Sequence, residues 1–479
     1  MQQNSTITVV VIDFGTYVIK GALAEKHADG QFDILYYADE PSDDCIKRGV
    51  IYNMEVAAQK AQSVISRLEK LYGKKINKVY SNIGGHTLRT IRHVESLAFE
   101  MPHEITAEDI DTLYEKVEGF THDKYEQLLI DSPQYFINSN YTTSPIGVQA
   151  LKIDARFQLI VASPQMRSNV QNVIEKKLNL EVAGLPISPL VLSKTFLNED
   201  QKKLGCVLID FGSGSTTICV FRNDLLTGLR VIPLGAQNIT KDIMAMHITE
   251  SEAERIKKQD GSAIAEPSDK SMIEVNAADK LSTKQISKYE LCRFIEARTK
   301  EIIDNVVHHM KEMIKPDDIG GGVIVTGGGS EMRGLLEKLV DALKMRVEVA
   351  SALITNHRQN TPYINNPKLH LIYAMIDYAS QDCVERPLGV QQPEASALKE
   401  KEGTDTYYPE DAYIQKREGE QPSLFTEDEL PPAEEKEIDV IHRGKQSKRT
   451  PSRKPKDQNK DGKGVVEKLL GWLIPMEED

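Results

Sequence analysis

The sequence predicts an α/β protein of two lobes that share one cleft, and three observations carry that expectation. Ile12-Asp13-Phe14-Gly15 returns as Ile209-Asp210-Phe211-Gly212, each time between apolar, β-branched runs. From Thr6 to about Gln381, strand-like runs alternate with helical patterns such as Glu55 to Tyr72 and Gln165 to Leu178. At 479 residues the chain is also too long for a single core, and roughly 100–200 residues per domain gives two to four.

The first repeat reads Val9 to Ile12, then Asp13-Phe14-Gly15-Thr16, then Val18 to Leu23; the second reads Val207 to Ile209, then Asp210 to Ser215, then Thr216 to Phe221. Apolar runs flanking a Gly/Ser/Thr turn read as buried hairpins. Backbone N–H groups and hydroxyls of such turns (Thr16; Ser213, Ser215) can converge on phosphate, and Lys20 adds a point charge. Asp13 and Asp210 end the inner strands, where carboxylates can hold Mg²⁺ through waters. One Asp-Phe-Gly is weak by itself; its duplication is the signal. No GxxxxGK[ST] occurs, which excludes a P-loop, and no His-Arg-Asp loop accompanies either copy, which argues against a protein kinase.

A third glycine cluster, Gly320-Gly321-Gly322 then Val323 to Thr326 then Gly327-Gly328-Gly329, runs from a strand into a helix expected from about Gly334. Glycines there let backbone lie flat against a purine, although a plain strand-to-helix turn would look the same. A helix start at Ser251 places Glu254, Lys257 and Lys258 on one face, usually no more than a salt-bridged surface. His308 and His309 have only Glu312 at ligand spacing, which fits an ordinary helix face.

Net charge of −13 argues against a nucleic-acid partner. Five scattered cysteines without a CxxC pair favour reduced thiols and a cytoplasmic setting. No signal peptide is expected, since the first apolar run lacks a basic lead and stops at Asp13. From about Glu385 to Lys463 prolines and dense charge predict disorder. Within it, Glu394 to Asp439 carries 15 acidic against 5 basic residues, and Arg443 to Lys463 carries 9 basic against 2 acidic. Gly464 to Ile474 then reads as an amphipathic helix, with Val465, Val466, Leu469, Leu470, Trp472, Leu473 and Ile474 on one broad arc. At about 1.5 Å per residue it measures ~16 Å, enough to lie in a membrane interface beside the basic run but too short to cross a ~30 Å core. A helix docking back on the core is the bland alternative.

In this order the motifs resemble the actin, DnaK-type chaperone and sugar-kinase superfamily: phosphate 1 (Asp13 to Gly21), connect 1 (about Leu185 to Phe196), phosphate 2 (Asp210 to Ser215), adenosine (Val323 to Ser330) and connect 2 (about Tyr363 to Tyr378). Within it the chain is similar to the FtsA family, on Ile130 to Ile137 followed by Ile146-Gly147-Val148, on Val231 to Gly235, on Val323 to Gly329 and on the terminal helix. The resemblance implies an actin-like two-lobed ATPase fold with duplicated ribonuclease-H-like domains. It would divide as 1–83 subdomain 1A with phosphate 1, 84–162 subdomain 1C, 163–204 returning to 1A, 205–237 subdomain 2A, 238–305 subdomain 2B, 306–360 again 2A, 361–384 the connect 2 helix, 385–463 linker and 464–475 membrane-targeting helix.

It further implies ATP with Mg²⁺, held by Asp13, Gly15, Thr16 and Lys20 from one lobe and Asp210, Gly212, Ser213, Gly214 and Gly235 from the other. Asp13 and Asp210 would serve the metal; Glu254, Lys257 and Lys258 would hold ribose and base edge opposite Gly327, Gly328 and Gly329. Implied partners are FtsZ, further copies in a filament, anionic lipids at the cytoplasmic face of the inner membrane, and later division proteins. Connect 1 departs from vigorous hydrolases: Ala183 to Leu197 holds no acid or amide, and Ser188 stands near the place where one would orient water. Because general-base help is worth about 10²–10⁴-fold, hydrolysis is expected to be slow or undetectable. A sugar kinase or a chaperone-like ATPase on the same core is the alternative.

Overall fold

The computed structural model describes residues 6–131, 133–276, 282–351, 363 and 365–384. The linker and terminal helix expected over 385–475 lie outside them. Two sheets repeat one topology. In the first, the order is Glu181–Gly184, Lys78–Tyr80, Ile7–Phe14, Val18–Lys26, Phe32–Pro41; the first three strands run parallel and the last two return as antiparallel hairpins. In the second, Val347–Val349, Val323–Thr326 and Cys206–Phe211 are parallel, followed by antiparallel Thr216–Arg222 and Leu225–Ile232. The central strand of each sheet is the one that carries Asp-Phe-Gly, so the sequence repeat reflects a repeat of the whole sheet.

Local chemistry explains the covering helices. Helix Met54–Tyr72 starts at Asn53, whose side chain accepts from the N–H of Glu55 and Val56, and ends at Gly73 in the left-handed region. Its Val64 and Leu68 come so near the sheet that a Cβ at Gly21 would stand 2.5 Å from Val64. Ser188–Phe196 packs against His370–Tyr378, which lies over the first strand. The last helix begins later than the sequence suggests, at His370, because Asn366 and Pro367 first form a single 3-10 turn. The pattern expected over Gln165 to Leu178 divides into helix Pro164–Gln171 and a wider π turn, Asn172–Lys177.

Two smaller cores flank the pair. Strands between Arg89 and Ala162 enclose helix Ala107–Glu118, whose start is fixed by reciprocal Thr106 and Asp109 capping bonds, over a core including Leu113, Val117, Ile153 and Phe157. That sheet joins the second lobe edgewise where Arg89 pairs with Arg230. Helices Ala236–Met244 and Glu250–Gln259, with hairpin Met272–Asn276/Thr283–Ser287, bury Ile239, Ile243, Ile256 and Ile273. The second of these helices starts one residue before Ser251, since the Thr249 hydroxyl caps the N–H of Glu252. Among the described residues, no helix is long and apolar enough to cross a membrane. All five cysteines are free and buried.

Candidate functional site: a cleft between two glycine turns

Strand register builds the cleft floor. Asp13 lies opposite Lys20 across the first hairpin, and the Lys20 ammonium donates to Asp13 Oδ2 at 2.9 Å. Gly15 closes that turn tightly, a Cβ there falling 2.6 Å from the Val18 carbonyl; Gly212 does the same against Ser215, at 2.8 Å. The two turns meet: a Cβ on Gly214 would stand 2.7 Å from both Cγ2 and Oγ1 of Thr16. Thr16 is held from behind, its hydroxyl accepting from Gly49 N–H at 2.9 Å and its carbonyl from the Ser42 hydroxyl at 2.6 Å. Gly235 abuts the second turn, 2.4 Å from the Ser213 carbonyl by the same measure.

The adenosine-motif glycines join this group. Gly327, at φ +83°, leaves room where a Cβ would be 2.1 Å from Asp210 Oδ1, and Gly329 lies against the Phe211 carbonyl. Gly328 instead faces the Lys368 stem. Burial pushes the Asp210 carboxyl up to about 6; Lys20 opposes the rise and Asp13 adds to it. A carboxylate in that position, beside a second one and walled by glycines, suits a divalent cation, so the residues present fit Mg²⁺ and a phosphate chain.

The helix carrying Glu254, Lys257 and Lys258 is arranged otherwise than its surface pattern suggests. Lys257 is buried, and its ammonium donates to Glu254 Oε2 at 2.5 Å, Thr240 Oγ1 at 2.8 Å and the Ala236 carbonyl at 3.2 Å. Three donors thus have three internal acceptors. Burial would push the Glu254 carboxyl up, but Lys257 and Lys258 outweigh it and hold it below its ordinary range. Lys258 is the member that reaches across, its ammonium 4.9 Å from the Tyr17 ring centre in the first lobe.

Sequence reasoning missed Asn82. Parallel pairing of Val11 with Tyr80 carries Asn82 to the same level as Asp13, at the carboxyl end of the neighbouring strand. Its Nδ2 donates to Ser188 Oγ at 2.9 Å, while that hydroxyl donates to the Ile83 carbonyl at 3.0 Å. The Asn82 Oδ1 is buried with no hydrogen-bond partner. A lone Asn after a strand carries no pattern, and only the fold brings it to Ser188. His308, His309 and Glu312 do converge, but His308 is exposed and the pairings are those of a helix surface.

Comparison with known proteins agrees with this geometry. The family model for cell division protein FtsA matches residues 207–374. The FtsA of Porphyromonas gingivalis is 29% identical over 75% of this chain and 75% of its own length. That of Bacillus subtilis is 29% identical over 82% and 88%, and that of Escherichia coli 23% over 78% and 90%. Among solved structures, the PilM-PilN type IV pilus biogenesis complex is similar with a TM-score of 0.51 at 14% identity, covering 77% of this chain and 97% of that one, which speaks to fold alone. With the doubled sheet, the paired turns and these relatives in agreement, the chain is similar to the FtsA family of cell division proteins over three quarters or more of its length.

Proposed function

We propose that this chain is a cell-division protein of the FtsA kind that binds ATP with Mg²⁺ between the two glycine turns, assembles into filaments in that state, and ties FtsZ filaments to the cytoplasmic face of the inner membrane. The single observation that supports the nucleotide reading is the meeting of Thr16 with Gly214 beside the Asp13–Lys20 pair and Asp210. Asp13 and Asp210 would hold the metal through waters, with Lys20 on the phosphates. Bound Mg²⁺ neutralises phosphate charge. The chain's own contribution is placement: Gly15, Gly212, Ser213 and Gly214 offer backbone N–H groups, and Gly235 and Gly327 leave the space. Ser188 in place of an acid or amide at connect 1 supports slow hydrolysis.

The anchor in this reading is the amphipathic segment Gly464 to Ile474, beyond the described residues, with the basic run Arg443 to Lys463 drawing it to anionic lipid. Seven apolar side chains gain ~1 to 1.5 kcal/mol each when partly buried, and ordering eleven residues costs about as much, so one copy binds weakly. A filament presents many copies, and avidity adds about 10²–10⁴-fold without a new contact. Later division proteins would join the assembled array.

Calorimetry of the intact protein with Mg·ATP should give saturable heat, and flotation with anionic vesicles should require residues 464–479 while ATP binding survives their deletion. No heat from ATP removes the nucleotide reading; a truncated chain that still floats removes the anchor. Pull-down with FtsZ, and electron microscopy on lipid monolayers with ATP, test the adaptor role against a sugar kinase.

A further inference from the structure

Asn82 brings an amide to the phosphate turns. Parallel pairing of Val11 with Tyr80, carried two residues on, sets Asn82 level with Asp13, and the period-two alternation of strands puts both side chains on one face of the sheet, where Lys20 also bonds Asp13. Close backbone contacts place it there as well. The Thr16 hydroxyl accepts from Gly49 N–H, a Cβ on Gly49 would stand 2.7 Å from the Gly85 Cα, and a Cβ on Gly84 would stand 2.7 Å from Ser188 Oγ. Asn82 and Ser188 therefore lie on the wall that runs back from the first phosphate turn.

Ser188 fixes which end of that amide is left over. Its hydroxyl proton goes to the Ile83 carbonyl at 3.0 Å, so towards Asn82 at 2.9 Å its oxygen can only accept, and that end of the amide is Nδ2. Oδ1 is then the other end: it is buried, and no described residue donates to it. A buried amide oxygen without a donor costs free energy, so its retention beside Asp13 calls for a donor from the ligand side. Ionised phosphates only accept, which leaves a water lying against them. We propose that Asn82 holds the water that attacks the terminal phosphate of ATP, with Ser188 fixing the amide that does so. This rests on the nucleotide reading above and deepens it: connect 1 supplies only a hydroxyl, and the amide comes from the neighbouring strand. The water oxygen bonds the terminal phosphorus while the bond from that phosphorus to the bridging oxygen breaks, its electron pair leaving on ADP. An amide accepts the hydrogen bond but not the proton, which passes to a phosphate oxygen and on to solvent, giving ADP and inorganic phosphate. The attack is oriented yet lacks a base, which keeps it slow.

The test takes the full chain as wild type, Asn82→Ala and Asn82→Asp through single turnovers of Mg·ATP followed for hours. The same chains are titrated with Mg·ADP, alone and with aluminium fluoride, which mimics the phosphoryl group under attack by water. Asn82→Ala should release phosphate roughly 10- to 100-fold more slowly than wild type and bind the fluoride complex at least about tenfold more weakly. It should bind Mg·ADP within about threefold of wild type and, without ligand, melt within about 3 °C of it. Asn82→Asp keeps an oxygen at that place and adds a base, so it should match or exceed the wild-type rate. Equal turnover by wild type and Asn82→Ala, or Asn82→Asp no faster than Asn82→Ala, overturns the inference alone, as does wild type that binds ATP yet releases no phosphate. An Asn82→Ala chain that melts further below, or that loses Mg·ADP in parallel with the fluoride complex, assigns the amide to the fold and also overturns it. Wild type that binds no ATP overturns the nucleotide reading as well.

Discussion

Replacing Lys257 with Met separates holding the fold from holding ligand. The ammonium satisfies Glu254, Thr240 and the Ala236 carbonyl from a side chain that is 7% exposed, and Met preserves most of its methylene packing. Its loss leaves Glu254 buried without its nearest counter-charge. Removing one partner of a buried pair costs about 3–5 kcal/mol. Glu254 would keep Lys258 at 3.1 Å and the Thr240 hydroxyl at 2.6 Å, which places the expectation at the lower end, about 3 kcal/mol. Because the chain has several cores, the assay is local: hydrogen–deuterium exchange of peptides covering Glu250–Gln259 without ligand, where 3 kcal/mol appears as roughly a hundredfold faster exchange. The double variant Lys257→Met/Glu254→Leu removes both charges and should recover most of the protection. Acceleration below about fivefold refutes the reasoning. A double variant that is protected yet has lost ATP would assign Glu254 and Lys257 to the ligand as well as to the fold.

Gly214→Val should part the two turns, since its first carbon already falls 2.7 Å from Thr16, and so lower Mg·ATP affinity by at least about tenfold in calorimetry while barely moving the ligand-free melting temperature. Glu252 is held below its ordinary 4.5 chiefly by the Arg255 hydrogen bonds, so its contribution to stability is present above that value and fades as pH falls through the lowered one. Glu252→Gln should therefore cost about 1–2 kcal/mol at pH 7 and progressively less below pH ~4, followed by denaturation midpoints across pH. Burial raises the thiols, Cys206 and Cys383 to about 12, so a thiol reagent should find none of the five cysteines until the chain unfolds.

The hairpins and glycine turns were legible because their signals are local: a turn needs glycine where it bends, and a buried strand needs a β-branched run. Duplication of Asp-Phe-Gly carried that local signal up to the level of the sheet, and the observed strand order repeats accordingly. What escaped depends on partners far along the chain. Lys257 reads as a surface charge until Ala236 and Thr240 come to meet it, and Asn82 is brought to Ser188 only by the fold. Helix starts moved by a residue or more wherever a capping hydroxyl or a proline, as at Thr249 and Pro367, outweighed periodicity.

The edgewise seam at Arg89 and Arg230 has a mechanical meaning. The strands between Arg89 and Ala162 are tethered at both ends to the first lobe, yet they line up with the border strand of the second through that one backbone pairing, a bond from Leu229 N–H to the Thr90 hydroxyl at 3.0 Å, and one from Gln158 to the Thr227 carbonyl at 3.1 Å. Behind these bonds Ile160, Leu226 and Leu229 share one buried core, so a swivel of the halves strains that core along with the seam. Closure around a guest would thus be felt by the neighbouring module as shear along this joint.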